Sequence, residues 1–320
     1  MHEKITFAGS AIGSHWHEVG KIVKRVLEKN GIEVYVDTHT TDWRNLMSVG
    51  TGEADLGVAL PHFLDQAQRR EGVFADSPLK DLRVIAALNA PVWIAAAVER
   101  SSGIATLREI AERRFPWRTV IPNRDNLNGL YIDDLLVAHG MTREDIDSWG
   151  GSWQPPNDAK ELARAREAGQ EYTMIPLTAR LARAGAINGM FVYFGNTSHW
   201  LRDLTTLMDL RFLRYEDAAL NGVIARSGGQ HLTLPARLFP GIDEDIAAPG
   251  WRYRLVYGTV NTPDDLVAAV LRGLEDDEVL DNAHGFSYSA FSPPHIPASL
   301  EFHPVTQRYF DRVAGLAAGA

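Results

Sequence analysis

Strand and helix signals alternate through the first ninety residues of this 320-residue chain, and that alternation restricts its fold more than any other feature. Ile5–Gly9 is a short apolar run of strand length. From His15 to about Asn30, Val19, Ile22, Val23, Val26 and Leu27 recur at helical spacing and define one buried face. Asn30-Gly31 supplies the pair, tolerant of left-handed backbone, that ends a helix. Ile32–Asp37 alternates as a strand, Asp42–Val49 reads as a short helix, and Leu56–Leu60 and Leu82–Leu88 read as two further strands. Strands and helices in turn, with short connections, imply a parallel sheet covered by helices on both faces.

The pattern then shifts. Val92–Val98 is a continuous apolar run, long enough to cross from one lobe to another, and Ser102-Gly103 breaks it. Helices are expected at Leu107–Arg114, Asn128–His139, Ala159–Ala168, Leu177–Ala184 and Ser198–Met208. Strands are expected at Thr119–Ile121, Met190–Phe194 and Leu210–Tyr215, with a polar loop over Trp149–Asp158. In the last hundred residues Pro263–Asp276 is a well-signalled helix, with Thr262 as N-cap, Pro263 at its first position and Asp264-Asp265 on the positive end of its dipole. A helix over about Thr306–Leu316 closes the chain. The expected architecture is α/β and two-lobed, of the type II periplasmic-binding-protein kind, each lobe a mostly parallel sheet flanked by helices. Residues 1–90 with 216–320 form lobe I and 91–215 an inserted lobe II. The two crossings act as a hinge, with a cleft at the strand C-terminal ends.

Composition narrows the partners. Hydrophobic residues make up 45% and charged residues 23%, as in ordinary globular proteins, and 320 residues suit two medium domains. A net charge of −9 argues against nucleic acid or an anionic membrane surface as partner. With no cysteine there is no disulfide, thiol catalysis or Cys-based zinc site. No apolar run approaches the ~18 residues of a membrane span. No leader pattern precedes Ile5, so the chain is expected in the cytoplasm if Met1 is the native start and outside it if a signal peptide has been removed.

Several segments carry a resemblance. Gly9-Ser10-Ala11-Ile12-Gly13-Ser14-His15-Trp16-His17-Glu18-Val19-Gly20, the loop Thr40–Leu46 containing Asn45, Gly52-Glu53-Ala54-Asp55-Leu56-Gly57, Ser102-Gly103-Ile104 and the ending Phe302-His303-Pro304 with Arg308-Tyr309-Phe310 occur in the order and spacing of one family. By these residues the chain resembles the TAXI-type substrate-binding proteins of TRAP transporters, over nearly its whole length. The resemblance implies the two-lobed fold, an organic-acid ligand and transporter membrane subunits as partners. It also shows departures. Trp16 and His17 stand where the family has tyrosines, Asp42 where it has a loop serine, and Asn128-Gly129-Leu130 where it has Ser-Gly-Thr. Ligand identity is not inherited across such changes.

The candidate site follows from these segments. The Ser10–His17 loop precedes a helix N-terminus, whose free N–H groups and dipole attract an anion, and Ser10 and Ser14 add hydroxyls. The plainer reading is a helix cap by Ser14. His15, His17, His39 and His62 fall on loops that the expected fold brings together, and His199 joins them from lobe II after Gly195-Asn196-Thr197-Ser198. They are read as donors to an acidic ligand or as acid/base groups near neutral pH. No cofactor is expected; a divalent metal at His15, His17 and Asp42 is the alternative, against which stands the i, i+2 spacing that turns the two rings to different helix faces. Trp16 is the stacking candidate, whereas Trp93 reads as core. Asp42 either pairs with Arg44 or accepts a ligand hydroxyl, and Arg124 and Asn126 open the lobe II loop as an opposing clamp. The ligand set is therefore Ser10, Ser14, His15, Trp16, His17, Asp42, Asn45, His62, Arg124, Asn126, Asn196 and His199.

No nucleophile elbow, phosphate-binding loop, dinucleotide fingerprint or His-Glu-x-x-His motif is present. The leading expectation is a clamp for a small, carboxylate-bearing molecule. The rival is a cytoplasmic decarboxylase, lyase or isomerase for hydroxylated or aromatic acids on the same scaffold, with His15, His17 or His199 moving protons and Asp42 orienting one of them. A ligand-binding regulatory protein is the third.

Overall fold

The apolar run at Ile5 folds as β1 (Lys4–Ala8), and the helical repeat of Val19, Ile22, Val23, Val26 and Leu27 is the buried face of α1 (His15–Glu28). The chain continues with β2 (Glu33–Asp37), α2 (Arg44–Thr51), β3 (Leu56–Ala59), α3 (Pro61–Arg69) and a long β4 (Leu82–Glu99). Then come α4 (Leu107–Glu112), β5 (Arg118–Val120), α5 (Leu127–Ala138), α6 (Arg143–Ser148), β6 (Ser152–Gln154), α7 (Ala159–Glu167), α8 (Pro176–Arg183), β7 (Gly189–Gly195), α9 (His199–Leu207) and β8 (Leu210–Phe212). The last are α10 (Asp217–Ser227), β9 (Gln230–Leu234), β10 (Ile246–Thr259), α11 (Asp264–Leu274), β11 (Ser287–Tyr288) and α12 (Pro304–Ala318). The structure is a computed structural model that describes residues 4–40, 43–77, 79, 81–124, 127–156, 159–172, 176–275, 287–288 and 296–318. Asp42 and Asn126 lie outside the described residues.

The chain divides into two compact units, Met1–Pro91 with Arg252–Ala320, and Val92–Trp251. The second boundary thus falls inside β10, at residue 251, where the sequence reading put it at 215. Residues 216–251 had carried no strand or helix signal strong enough to assign. They form α10, β9 and the first half of β10, and β9 pairs antiparallel with that half, Leu232 opposite Ala248.

In the first unit β1 lies between β2 and β3, parallel to both, with Ile5 opposite Val34 and Phe7 opposite Leu56. The second half of β10 adds antiparallel to β3, Val256 facing Val58. Parallel neighbours deliver the C-terminal ends of β1, β2 and β3 to one edge, and each end turns into a helix there. The helix α3, unpredicted, begins at Pro61 directly after β3, so His62 sits in a first helical turn rather than on a loop.

In the second unit β7 pairs antiparallel with β4, Val92 opposite Gly195, and parallel with β5, which is parallel to β6. The strand β6 occupies part of the expected polar loop. Trp93, Phe194, Trp200, Leu204, Phe212 and Phe239 share the buried core of this unit. Trp200 is therefore packed as core, and the Trp93 indole N–H donates to the Thr233 carbonyl at 3.0 Å. Among the described residues no helix is long and apolar enough to cross a membrane.

Candidate functional site

The β1–α1 connection carries an unusual backbone. Ser10 has φ +63, a left-handed conformation that costs a non-glycine residue energy. The strain is held by polar contacts: Ser10 N donates to Thr40 Oγ1 at 3.3 Å, and Ser10 Oγ donates to Asn45 Oδ1 at 3.2 Å. Asn45 in turn donates from Nδ2 to the Val58 carbonyl at 3.2 Å. One chain of hydrogen bonds therefore ties the first connection to the second connection, to α2 and to β3. Ser10 and Asn45 are both buried.

Ser14 caps α1, its Oγ accepting from His17 N at 3.1 Å. His15 follows, 1% exposed, with its ring 4.6 Å from the ring of Trp16, itself 2% exposed. Burial, and then the positive charge of Arg254, hold the His15 imidazole well below its ordinary value, so it is neutral at physiological pH. His17 is half-buried. His62 is buried, tilted against Phe63 at 4.0 Å, and burial pushes its imidazole down to about 3. His39 folds back on its own turn, with its backbone N–H and Nδ1 both 2.9 Å from Asp37 Oδ1. Trp43 is half-buried, edge-on to Phe74 and beside the Arg44 guanidinium.

Arg254 was missed by the sequence reading. It lies on β10, fully buried, where Nη1 donates to the His15 carbonyl at 2.7 Å and Nη2 to the Pro91 carbonyl at 3.3 Å. Its guanidinium stands 6.0 Å from the centroid of the Trp16 ring. Burial outweighs the attraction of Glu18 and pushes the Arg254 guanidinium down to about 9. The signal was present in Trp251-Arg252-Tyr253-Arg254-Leu255-Val256, an arginine abutting an apolar strand run. The unassigned region around it left that signal unread.

Among the second-unit residues, Arg124 is exposed and spends its guanidinium on Asp133 (2.6 Å) and Glu144 (3.0 Å). Asp133 is shared with Arg143, whose side chain is fully buried, lies 4.5 Å from the Trp153 ring, and donates to the carbonyls of Pro122 and Gly129. Those carbonyls flank the β5–α5 connection. Gly129 is required there, because a Cβ would stand 2.0 Å from the Asn123 carbonyl oxygen. Asn196 is half-buried between β7 and α9, and His199 is exposed as the first residue of α9. Of the expected ligand set, Ser10, Ser14, His15, Trp16, His17, Asn45 and His62 stand on the first unit, as does Arg254. Arg124, Asn196 and His199 stand on the second. Among the described residues no three His, Asp or Glu side chains converge as a metal site.

The profile described as the NMT1-like family matches residues 8–311 of the chain. No curated protein sequence matches it. Among solved structures, a periplasmic transporter is similar at 14% identity with a TM-score of 0.53, over 98% of this chain and 96% of that one. MatC from Rhodopseudomonas palustris with bound malate is similar at 12% identity, TM-score 0.52, over 97% of each chain. A protein of Bordetella bronchiseptica RB50 is similar at 13% identity, TM-score 0.53, over 98% of each. Identities this low show a shared fold, the mixed α/β fold of periplasmic binding proteins.

Proposed function

The chain belongs to the NMT1-like family, and from that premise we propose that it is a solute-binding protein that takes a small molecule at the polar edge of its first unit. The observation that carries the proposal is the burial of polar side chains where β1, β2 and β3 end: Ser10, Ser14, His15, Asn45 and His62 are all less than a tenth exposed. Burying polar groups is costly, and a unit built for stability alone would fill this edge with apolar ones. Ser10 adds backbone strain to that cost. Polar groups held in fixed geometry out of water are what a binding site for a polar solute requires.

In its finer form the proposal is a TAXI-type protein whose ligand bears a carboxylate, working outside the cytoplasm with transporter membrane subunits. The motif resemblance along the chain supports this form. So does the fold shared with a periplasmic transporter and with a malate-bound protein. Ser10, Ser14, His15, Trp16, His17, Asn45 and His62 are proposed as ligand contacts, and Asn196 and His199 as a further set on the second unit.

A proton NMR time course with pooled aliphatic and aromatic carboxylic acids tests the reading. Saturation transfer from the protein to one compound, with signals that persist, is the expected result. Consumption of the compound, with new signals growing in, would replace the binding protein with an enzyme in which His15, His17 or His199 moves the proton.

A further inference from the structure

Arg143 opens α6 in the second unit, and its side chain is fully buried. Its Nε pairs with Asp133, and its Nη2 donates to the carbonyls of Pro122 at 2.9 Å and Gly129 at 3.2 Å. Its Nη1 has no hydrogen-bond partner among the described residues. A buried guanidinium with one nitrogen unspent is a costly way to join α6 to α5, and an apolar side chain packed on Trp153 would do so more cheaply. What the guanidinium adds is geometry, because its rigid fork fixes Pro122 at one end of the β5–α5 connection against Gly129 at the other. Two further features hold the same stretch. Arg124 is tied to Asp133 and Glu144, and Gly129 lets α5 close on the Asn123 carbonyl, where a Cβ would stand 2.0 Å from the oxygen. Pro122 and Arg124 are thus both anchored, and Asn123 stands exposed between them. The strand β5 lies parallel to β6 and β7, so this stretch leaves the C-terminal edge of parallel strands, where α/β sheets meet their ligands.

We infer that Asn123 is a solute contact on the second unit and that Arg143 is the positioning residue that holds it in place. Asn123 has this role only on the solute-binding reading, and its carboxamide then names a chemical class. A carboxamide both donates and accepts, so its counterpart is an uncharged polar group of the solute, a hydroxyl, carbonyl or amide. Arg124, whose guanidinium is spent on two carboxylates, belongs to the brace and not to the solute. A contact whose backbone is fixed beforehand loses less conformational freedom on binding, and that is the return on the buried charge.

The test screens the full chain by saturation transfer against pooled hydroxy acids, keto acids, sugars, primary amides and amines, and titrates the compound that binds against each variant. Asn123→Ala should weaken binding about 10-fold and leave the urea midpoint unchanged, since the residue is exposed. Arg143→Met, assayed where it is folded, should weaken binding by a similar factor. The double variant should lose no more than either single one, because an asparagine out of position has nothing left to contribute. An arginine with a merely structural role would leave Asn123→Ala its full effect in the Arg143→Met background. Arg143→Lys keeps the charge without the fork and should bind as weakly as Arg143→Met. Should Arg143→Met fail to fold, Asp133→Asn, which removes the carboxylate that orients Arg143, takes its place in the cycle. Wild-type affinity in Asn123→Ala or Arg143→Lys, or additive losses in the double variant, overturns the assignment and leaves the solute-binding reading standing. Failure of every probe to bind the wild type overturns the solute-binding reading, and this contact with it.

Discussion

The Tyr257 hydroxyl is fully buried on β10 and has no hydrogen-bond partner among the described residues. It fits because residue 57 opposite it is glycine: a Cβ there would stand 2.6 Å from Tyr257 Oη and 3.1 Å from Val49 Cγ2. Burial pushes the phenol well above its ordinary value, so the group stays protonated. An unsatisfied buried hydroxyl is a net cost, and Tyr257→Phe should stabilise the chain by about 1 kcal/mol in urea denaturation. A loss of stability of similar size would show that the hydroxyl has a partner. Single residues of this kind were the least legible part of the sequence. Arg254 and Tyr257 lie in the stretch between Tyr215 and Pro263 to which the sequence assigns no element, and nothing local distinguishes an arginine that will be buried from one that will be solvated. The cap at Ser14, by contrast, was legible because the helix that starts directly after it dictates what its hydroxyl can reach, whereas the Ser10 hydroxyl reaches Asn45 on another element.

Among the elements, β4 shows how a local rule misleads. It runs unbroken from Leu82 to Glu99 through Pro91, whereas the sequence reads as two separate strands. Proline lacks the N–H a strand interior uses and so marks a break, but the Pro91 carbonyl still accepts, here from Arg254. At α11 the cap is Pro263, and Thr262 is one residue outside it, its Oγ1 accepting from Thr259 N at 2.9 Å. A threonine before a proline serves either role, and the turn preceding it decided. The β5–α5 connection depends on a distant element, since Arg143 at the start of α6 pins both of its ends. Arg143→Met should cost about 3 kcal/mol in urea denaturation, because the variant strands two carbonyls and unbalances Asp133. A cost under about 1 kcal/mol would mean that Arg124 alone holds Asp133 and the connection.

For the molecule as a whole, buried imidazoles set a pH dependence. His62 titrates at about 3 folded, against about 6.5 in an unfolded chain. Above pH 6.5 both states are neutral and the residue contributes nothing. As pH falls from 6.5 toward 3 the unfolded state takes up a proton that the folded state refuses, so stability is lost, by about 5 kcal/mol across the window. Burial lowers His15, His139 and His303 as well, and all three act in the same direction. Denaturation midpoints measured from pH 7 to pH 4 should therefore fall more steeply for the wild type than for His62→Gln. Parallel curves would remove His62 as the source.

The sequence by itself determined the alternation of strands and helices in the first unit, the buried face of α1, and the helix ends at Asn30-Gly31 and Ser14. Each is written in spacings of a few residues, because helix and strand periods translate directly into which side chains face inward. The tertiary structure decided that β10 returns beside β3, that the second boundary lies at residue 251, and that Arg254 meets the first turn of α1 across 239 positions of chain. Periodicity specifies that a residue is buried but not against what. The partner of a buried charge is fixed only when distant strands pair.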